Sequence, residues 1–398
     1  MSDIIIRRVQ GEEMLEKFFP MPGFAFGPSP RAPRDIEALR ERLPNFEQNT
    51  VLMVFEDDKP QTAIASAPMT QNVRGKIYPM GAVWGVVTYP EGRRKGYVRQ
   101  TLKKLFVDMR EEGNAFTGLY PFRPSFYERM GYVNFPYMKI VSFPPQNLRP
   151  IFDWNLEGQV EQMMIADGYD IYRQFTRKHQ QSTHGMALAP DPMAEDTLKR
   201  PNNLWLAVAR HDDQVVGLMM FNITNFRGTM DIPVFLYNNN HGKYLLLEWL
   251  ARYTDQVYHA DLHLAAAEFP ETWLADAGVR MQFKMTPMNW DGMGRVLDIM
   301  RIGGMQSGVG RFTAKINDHY CPWNNGTFAF ETVNGHLQVS ETASADCDLT
   351  INGISALIYG THDPDDFAFR GWGNPSPQLQ QTMRTMFPRM MPYMFELY

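Results

Sequence analysis

One stretch constrains this chain more than any other, the run "VVTYPEGRRKGYVR" from Val86 to Arg99. An apolar run from Met80 to Val87 leads into it, with the length and composition of a buried strand. After it, Val98, Leu102, Leu105, Phe106 and Met109 recur at helical spacing. The stretch therefore reads as a strand, a basic glycine-containing turn and a helix start. Backbone N–H groups at a helix N-terminus lack intrahelical partners, and the helix dipole favours an anion there. Gly92 and Gly96 let the backbone come close to a ligand, and Arg93, Arg94, Lys95 and Arg99 add positive charge. Such a turn can cradle a pyrophosphate. It can equally be a solvated surface, and the surroundings decide between the two.

A chain of 398 residues is too long for one compact core, so two or three domains are expected. The net charge of −5 argues against general nucleic-acid binding and makes the basic turn a local site in a slightly acidic protein, which suits a cationic substrate. Cys321 and Cys347 are too few for a disulfide framework; both sit in stretches that read as strands, and no metal-binding spacing is present. The first residues lack the order of a signal peptide, and no apolar run is long enough to span a bilayer. The expectation is a cytoplasmic protein with no membrane partner.

In chain order, Ile4 to Arg8 reads as a strand and Glu12 to Phe18 as a short helix. Pro20 to Pro33, rich in Pro, Gly and Phe, reads as a loop in which Phe24 and Phe26 either anchor the chain or line a pocket. A helix over Asp35–Leu43 and strands over Thr50–Phe55 and Gln61–Met69 come before the central strand. The helix after the cradle ends at Gly113. Asn114 to Tyr120 is a further strand, and Ser125, a candidate N-cap, opens a short helix that ends at Gly131-Tyr132. Met138 to Phe143 is a strand, and Pro144-Pro145 marks a boundary.

This order, with "FYERMGY" from Phe126 to Tyr132, resembles the GNAT acyltransferase family. That family's cofactor turn is Arg/Gln-x-x-Gly-x-Gly/Ala. Arg93-Arg94-Lys95-Gly96-Tyr97-Val98 matches it except at Val98, where the small residue is replaced.

The second segment repeats the pattern: a helix over Gly168–Gln180, strands over Leu204–Arg210, Gln214–Phe221 and Thr229–Tyr237, and a helix over Gly242–Thr254. Strands over Val257–Ala265 and Val279–Met285 flank a helix near Thr272–Ala277. At the cradle position it has Asn238 to Lys243, without arginines, and so reads as a copy lacking a cofactor site. His241 is a lone loop histidine. His259 and His263 lie on a strand, a spacing unsuited to a metal. In the third segment, Val296–Met300 reads as a short helix. Four strands follow, over Phe312–Ile316, Gly326–Thr332, Leu337–Glu341 and Cys347–Ile351, then helices over Ile354–Tyr359 and Pro377–Phe387. The run "DCDLTINGISALIYG" from Asp346 to Gly360 resembles a sterol-carrier-protein-2 fold.

The expected fold class is α+β: two tandem GNAT-like mixed sheets with flanking helices (1–146 and 147–287), then a sterol-carrier-like α/β domain (288–398). Together these parts resemble the Eis (enhanced intracellular survival) acetyltransferase family. The resemblance implies transfer of an acetyl group from acetyl-CoA, a co-substrate, to amines including aminoglycosides, with hexameric assembly and no metal. It implies cofactor contacts from Val86, Val87 and Thr88 along the central strand. It adds Arg94, Lys95, Gly96, Tyr97, Val98 and Arg99 at the pyrophosphate turn, and Phe122 and Arg123 after the next strand.

Amine acetylation needs a base for the amine, stabilisation of the carbonyl oxygen and an acid for the departing thiolate. The strand from Met80 to Val87 carries no carboxylate and no histidine, so the base comes from elsewhere. By the resemblance, Tyr127 is the acid and the C-terminal carboxylate on Tyr398 is the base. Independently, the tail from Met390 to Tyr398 is too apolar to float free. Glu396 is a rival carboxylate. A lipid- or ligand-carrying protein acting through the third domain is the competing reading.

Overall fold

A computed structural model describes residues 3–27, 33–199, 201, 203–283 and 292–396. From the N-terminus come β1 (Ile4–Arg8), a π-helical turn over Met14–Phe18, α1 (Pro20–Phe26), α2 (Pro33–Phe46), β2 (Thr50–Glu56), β3 (Lys59–Val73) and β4 (Lys76–Thr88). Then follow α3 (Tyr97–Glu111), β5 (Phe116–Leu119), α4 (Pro124–Glu128), β6 (Val133–Asn134), β7 (Lys139–Phe143), β8 (Gln159–Met164), α5 (Ile165–Gln180), β9 (Ala187–Leu188) and α6 (Asp191–Lys199). The next elements are β10 (Trp205–His211), β11 (Gln214–Ile223), β12 (Thr229–Tyr237), α7 (Asn240–Ala251), β13 (His259–Leu264), β14 (Arg280–Phe283) and β15 (Met293–Val296). The chain closes with β16 (Arg311–Asn317), β17 (Gly326–Val333), β18 (His336–Glu341), β19 (Cys347–Thr350), α8 (Ile351–Tyr359), α9 (Phe367–Arg370) and α10 (Pro377–Met386).

The described chain divides into two units. One holds residues 1–135, 184–193 and 292–398; the other holds 136–183 and 194–291. In the first unit the large sheet runs β1-β2-β3-β4-β5-β15-β6, with β9 paired to β3. Its ladders are antiparallel except β4 with β5, which is parallel. Both faces of β2 are covered, as its unbroken apolar run requires. Val51, Met53 and Phe55 pack in a layer with Phe18, Phe19, Leu39 and Leu43. Leu52 packs on the other face, against Leu102, Leu105, Phe106 and Met109 of α3. These α3 positions are the apolar stripe legible in the sequence, and all are buried; each contributes roughly 1.5–3 kcal/mol. The smaller sheet of this unit runs β18-β17-β16-β19, and every residue of α8 is buried. In the second unit the order is β14-β7-β13-β12-β11-β10-β8, with Leu245, Leu246, Leu247 and Leu250 of α7 in its core.

Several expectations need correction. Pro20–Phe26 is helical, because proline is tolerated in a first turn where its missing N–H has no partner to lose. Ser125 is not a cap: Arg123 takes that position and Pro124 is the first helical residue. Val296 ends a strand, and only Ile299–Arg301 makes a helical turn. Helix near Thr272 is one turn over Pro270–Thr272, and Cys321 precedes a short turn rather than lying in a strand. Among the described residues no helix is long and apolar enough to cross a membrane.

Segment 184–193 ties the first unit together. The ring of His184 accepts at Nδ1 from the Arg74 N–H and donates from Nε2 to the Tyr359 carbonyl, each at 3.0 Å. Only the neutral ring can do both. Burial, with the nearby Arg74 charge, pushes its pKa down to about 4. An unfolded chain binds a proton at His184 below about pH 6.5 that the folded chain refuses until about pH 4, so stability is full above that window and falls as pH is lowered through it. Chemical denaturation is expected to show a loss approaching about 3 kcal/mol from this group over the window. His184→Gln should flatten that part of the profile, and an unchanged slope would remove His184 as its source.

Candidate active site

β4 is paired on its two sides over different lengths. With β3 it pairs as far as Thr62↔Thr88, with a bulge where Ala63 to Ala65 faces Val87 to Trp84. With β5 the pairing stops at Val83↔Leu119. From Trp84 to Thr88 the β5 side of the strand therefore has no sheet pairing among the described residues. This open backbone edge contains Val86, Val87 and Thr88. Such an edge can add an extended, amide-bearing ligand through main-chain hydrogen bonds. Gly85 lies in the bulge at φ +61°, and a Cβ there would stand 3.0 Å from the Phe18 ring. Glycine thus satisfies both the backbone turn and the close approach of the neighbouring helical segment. Val86 packs on the α3 side and Val87 on the Phe18 side.

The chain then turns through Pro90–Gly92 into α3. Arg94 has φ +65°, and Gly96, the residue before the helix, has φ +82°. No side chain caps α3, and a Cβ on Gly96 would meet nothing within 4 Å. The first N–H groups of this long helix thus have no side-chain cap among the described residues, and near them lie Arg94 and Arg99, whose guanidinium groups make no ion pair or hydrogen bond among the described residues. Lys95 is engaged instead, its Nζ 2.6 Å from Glu56. Tyr97 is buried. Val98 packs into the α3 layer, which explains how a large residue is accommodated where the motif has a small one: its side chain turns to the core.

Past β5, Phe122 is 54 % exposed, with its ring 5.3 Å from Phe126 and 5.7 Å from Tyr127. Arg123 is the N-cap residue of α4. Tyr127 is buried at 3 % exposure and packs on Phe126 and Tyr132, and among the described residues its hydroxyl has no hydrogen-bond partner. Burial raises its pKa above that of an ordinary phenol, so it stays a proton donor at neutral pH.

The C-terminal tail reaches the same end of β5. Tyr393 N–H donates to the His184 carbonyl at 2.9 Å. The Tyr120 hydroxyl, one residue beyond β5, lies 2.6 Å from the Met394 carbonyl and 3.2 Å from that of Glu396. Met394 lies on Gly118, where a Cβ would stand 2.9 Å from its Cε. The Glu396 carboxylate accepts from the Ala189 N–H at 2.5 Å, so this rival carboxylate anchors the tail. Tyr398 lies outside the described residues. Sequence reasoning missed Tyr120, His184 and Ala189; nothing local marks them, since their partners are distant in the chain. On the opposite side of β4, Trp84 packs on Phe18 and Phe46, and Phe24 of α1 meets Tyr89 at 5.3 Å.

In the second unit the matching helix start is closed. The Asn239 side chain accepts from Gly242 N–H at 2.9 Å, and a Cβ on Gly242 would stand 2.2 Å from the Val216 carbonyl. His241 Nε2 lies 2.6 Å from the Glu157 carbonyl, and His263 pairs with Asp231 at 2.9 Å. Among the described residues no cluster of three or more His, Cys, Asp or Glu could hold a metal.

An open strand edge leading to an uncapped, basic helix start suits an extended, amide-bearing ligand with phosphates at one end. Residues 6–134 match the acetyltransferase (GNAT) domain, and residues 301–395 match the sterol carrier protein domain. The chain thus carries a GNAT acetyltransferase domain over its first third. Over its whole length its fold is similar to that of a GCN5-related N-acetyltransferase from Anabaena variabilis ATCC 29413 (TM-score 0.85, 16 % identity, 100 % of both chains). The same holds for a conserved protein from Enterococcus faecalis V583 (0.83, 19 %, 100 % of both chains). Eis1 from Mycobacterium abscessus is similar too (0.78, 15 %, 100 % of both chains). No curated protein matches the sequence.

Proposed function

We propose that this protein transfers the acetyl group of acetyl-CoA to a primary amine of a cationic substrate, whether aminoglycoside-like, a polyamine or a lysine. The observation that carries the reading is the convergence of three things at one end of β5. These are the unpaired edge of β4, the buried Tyr127 and the anchored C-terminal tail. Acetyl-CoA, when bound, supplies the acetyl group and a thiolate leaving group. The main chain of Val86, Val87 and Thr88 holds its extended arm. Gly96, Tyr97 and Val98 present N–H groups to its phosphates, with Arg94 and Arg99 adding charge; Lys95, Phe122 and Arg123 border the path. Tyr127 gives its proton to the departing sulfur. The Tyr398 carboxylate attracts the ammonium and takes its proton, directly or through a water. The net charge of −5 supports a cationic acceptor, and Phe24 with Tyr89 offers it aromatic faces.

Thiol release with acetyl-CoA and a panel of amines tests this. Turnover with polyamines or aminoglycosides but not with neutral amines is the expected result; no release with any amine would overturn it. The sterol carrier match supports a second reading, a lipid-carrying protein, which predicts lipid binding without thiol release. Arg94→Ala is expected to raise KM for acetyl-CoA by about 10-fold or more, the worth of one charge-assisted contact, with kcat little changed. An unchanged KM would count against that contact. The family resemblance further supports a homohexamer, and the sequence patterns and net charge support three functional parts, 1–146, 147–287 and 288–398, working in the cytoplasm without nucleic acid; light scattering measures the assembly.

A further inference from the structure

We propose that Asn352 and Arg295 are positioning residues for Tyr127, so that the C-terminal part of the chain braces the acid of the active site. The inference rests on the reading of Tyr127 as the proton donor.

Tyr127 sits in α4, a helix of five residues with no side-chain cap. So short a helix does not hold itself, because its few hydrogen bonds do not offset the entropy of fixing it. Its exit is a tight turn. Met130 N–H and Tyr132 N–H both donate to the Tyr127 carbonyl, at 2.8 and 3.3 Å, and Gly131 N–H donates to that of Glu128 at 3.0 Å. Two further carbonyls of this turn, those of Met130 and Tyr132, would be left to find partners, and the C-terminal part supplies them. The Asn352 amide nitrogen on α8 donates to the Glu128 carbonyl at 2.8 Å and to the Tyr132 carbonyl at 3.2 Å, bridging residues on either side of the turn. Arg295 on β15 donates from Nη1 to the Met130 carbonyl.

Arg295 is itself fixed. It is fully buried, lies over the Phe106 ring at 4.6 Å and pairs with Asp318. Asp318 accepts from the Tyr320 and Cys321 N–H groups and from Asn324, each at 3.0 Å. Gly131, at φ +93°, is pressed against this frame: a Cβ there would stand 2.7 Å from both Arg295 Nη1 and Ile351 Cγ2. The Tyr127 hydroxyl has no hydrogen bond of its own among the described residues, so backbone support and ring packing set its position.

The test is a double-mutant cycle of Asn352→Ala with Tyr127→Phe in the full-length protein, reading kcat and KM for acetyl-CoA. Asn352→Ala alone is expected to lower kcat by about 10-fold or more while KM for acetyl-CoA changes little, since small misplacements of a catalytic group are costly. In the Tyr127→Phe background it should change kcat no further, because the group it positions is gone. An equal fold-loss in both backgrounds, or none in the wild type, overturns the brace. If Tyr127→Phe keeps full kcat, the acid reading itself fails and the inference with it, an outcome distinct from additivity in an impaired Tyr127→Phe enzyme. Thermal unfolding checks each variant. Should Asn352→Ala not fold, Asn352→Asp, of the same shape but without the amide donor, enters the same cycle with the same expected outcomes.

Discussion

Replacing Tyr127 by phenylalanine is expected to lower kcat by about 10²–10⁴ and to leave KM for acetyl-CoA nearly unchanged, as loss of a positioned general acid does. The ring packs on Phe122, Phe126 and Tyr132, so phenylalanine keeps the packing and removes only the hydroxyl. That hydroxyl has no partner among the described residues, so its removal orphans nothing and stability should hold. Burial keeps the phenol protonated far above neutral pH, which suits a donor to a thiolate and would disable a base. Steady-state kinetics over an acetyl-CoA series, with a thermal unfolding control, gives the answer; unchanged kcat would strip Tyr127 of the acid role.

A single glycine added after Tyr398 is expected to cut kcat/KM for the amine by about 10²-fold or more. The tail cannot slide to compensate. Tyr393, Met394 and Glu396 are held by His184, Tyr120 and Ala189. One extra residue therefore moves the terminal carboxylate by about 3.5 Å, more than the length of a hydrogen bond. An α-carboxyl has a pKa of about 3.5 and is a weak base, so the contribution expected of it on the proposed reading is mainly to orient and attract an ammonium. The loss should accordingly fall mainly on the amine side, with acetyl-CoA binding preserved. Full activity in a correctly folded extended protein would exclude Tyr398 as the base.

What was legible in the sequence was local. The apolar stripe of α3, the glycines and arginines of the cradle and the strand before them are signals carried by neighbours in the chain, and each lies where its pattern put it. The proline-rich α1 was not legible, because the same residues that open a helix also make loops. β15 was not legible either: four residues pair only because β5 and β6, more than a hundred positions earlier, leave a place between them. The apolar tail announced that it would be buried but not where. Its partners His184, Tyr120 and Ala189 carry no mark of their own. Arg295 and Asn352 were silent for a similar reason, since a buried donor is recognisable only beside the carbonyls it serves.

The place of β15 also bears on how the polypeptide is made. It lies between β5 and β6, strands from the first third of the chain. As the nascent chain leaves the ribosome, β5 has an unmatched edge until residues 293–296 emerge. The acetyltransferase region thus stays unfinished through synthesis of the entire second unit, a long-range closure that slows folding and exposes an edge to wrong partners. A product truncated before residue 293 has the basic turn but not the strand that closes the sheet between β5 and β6.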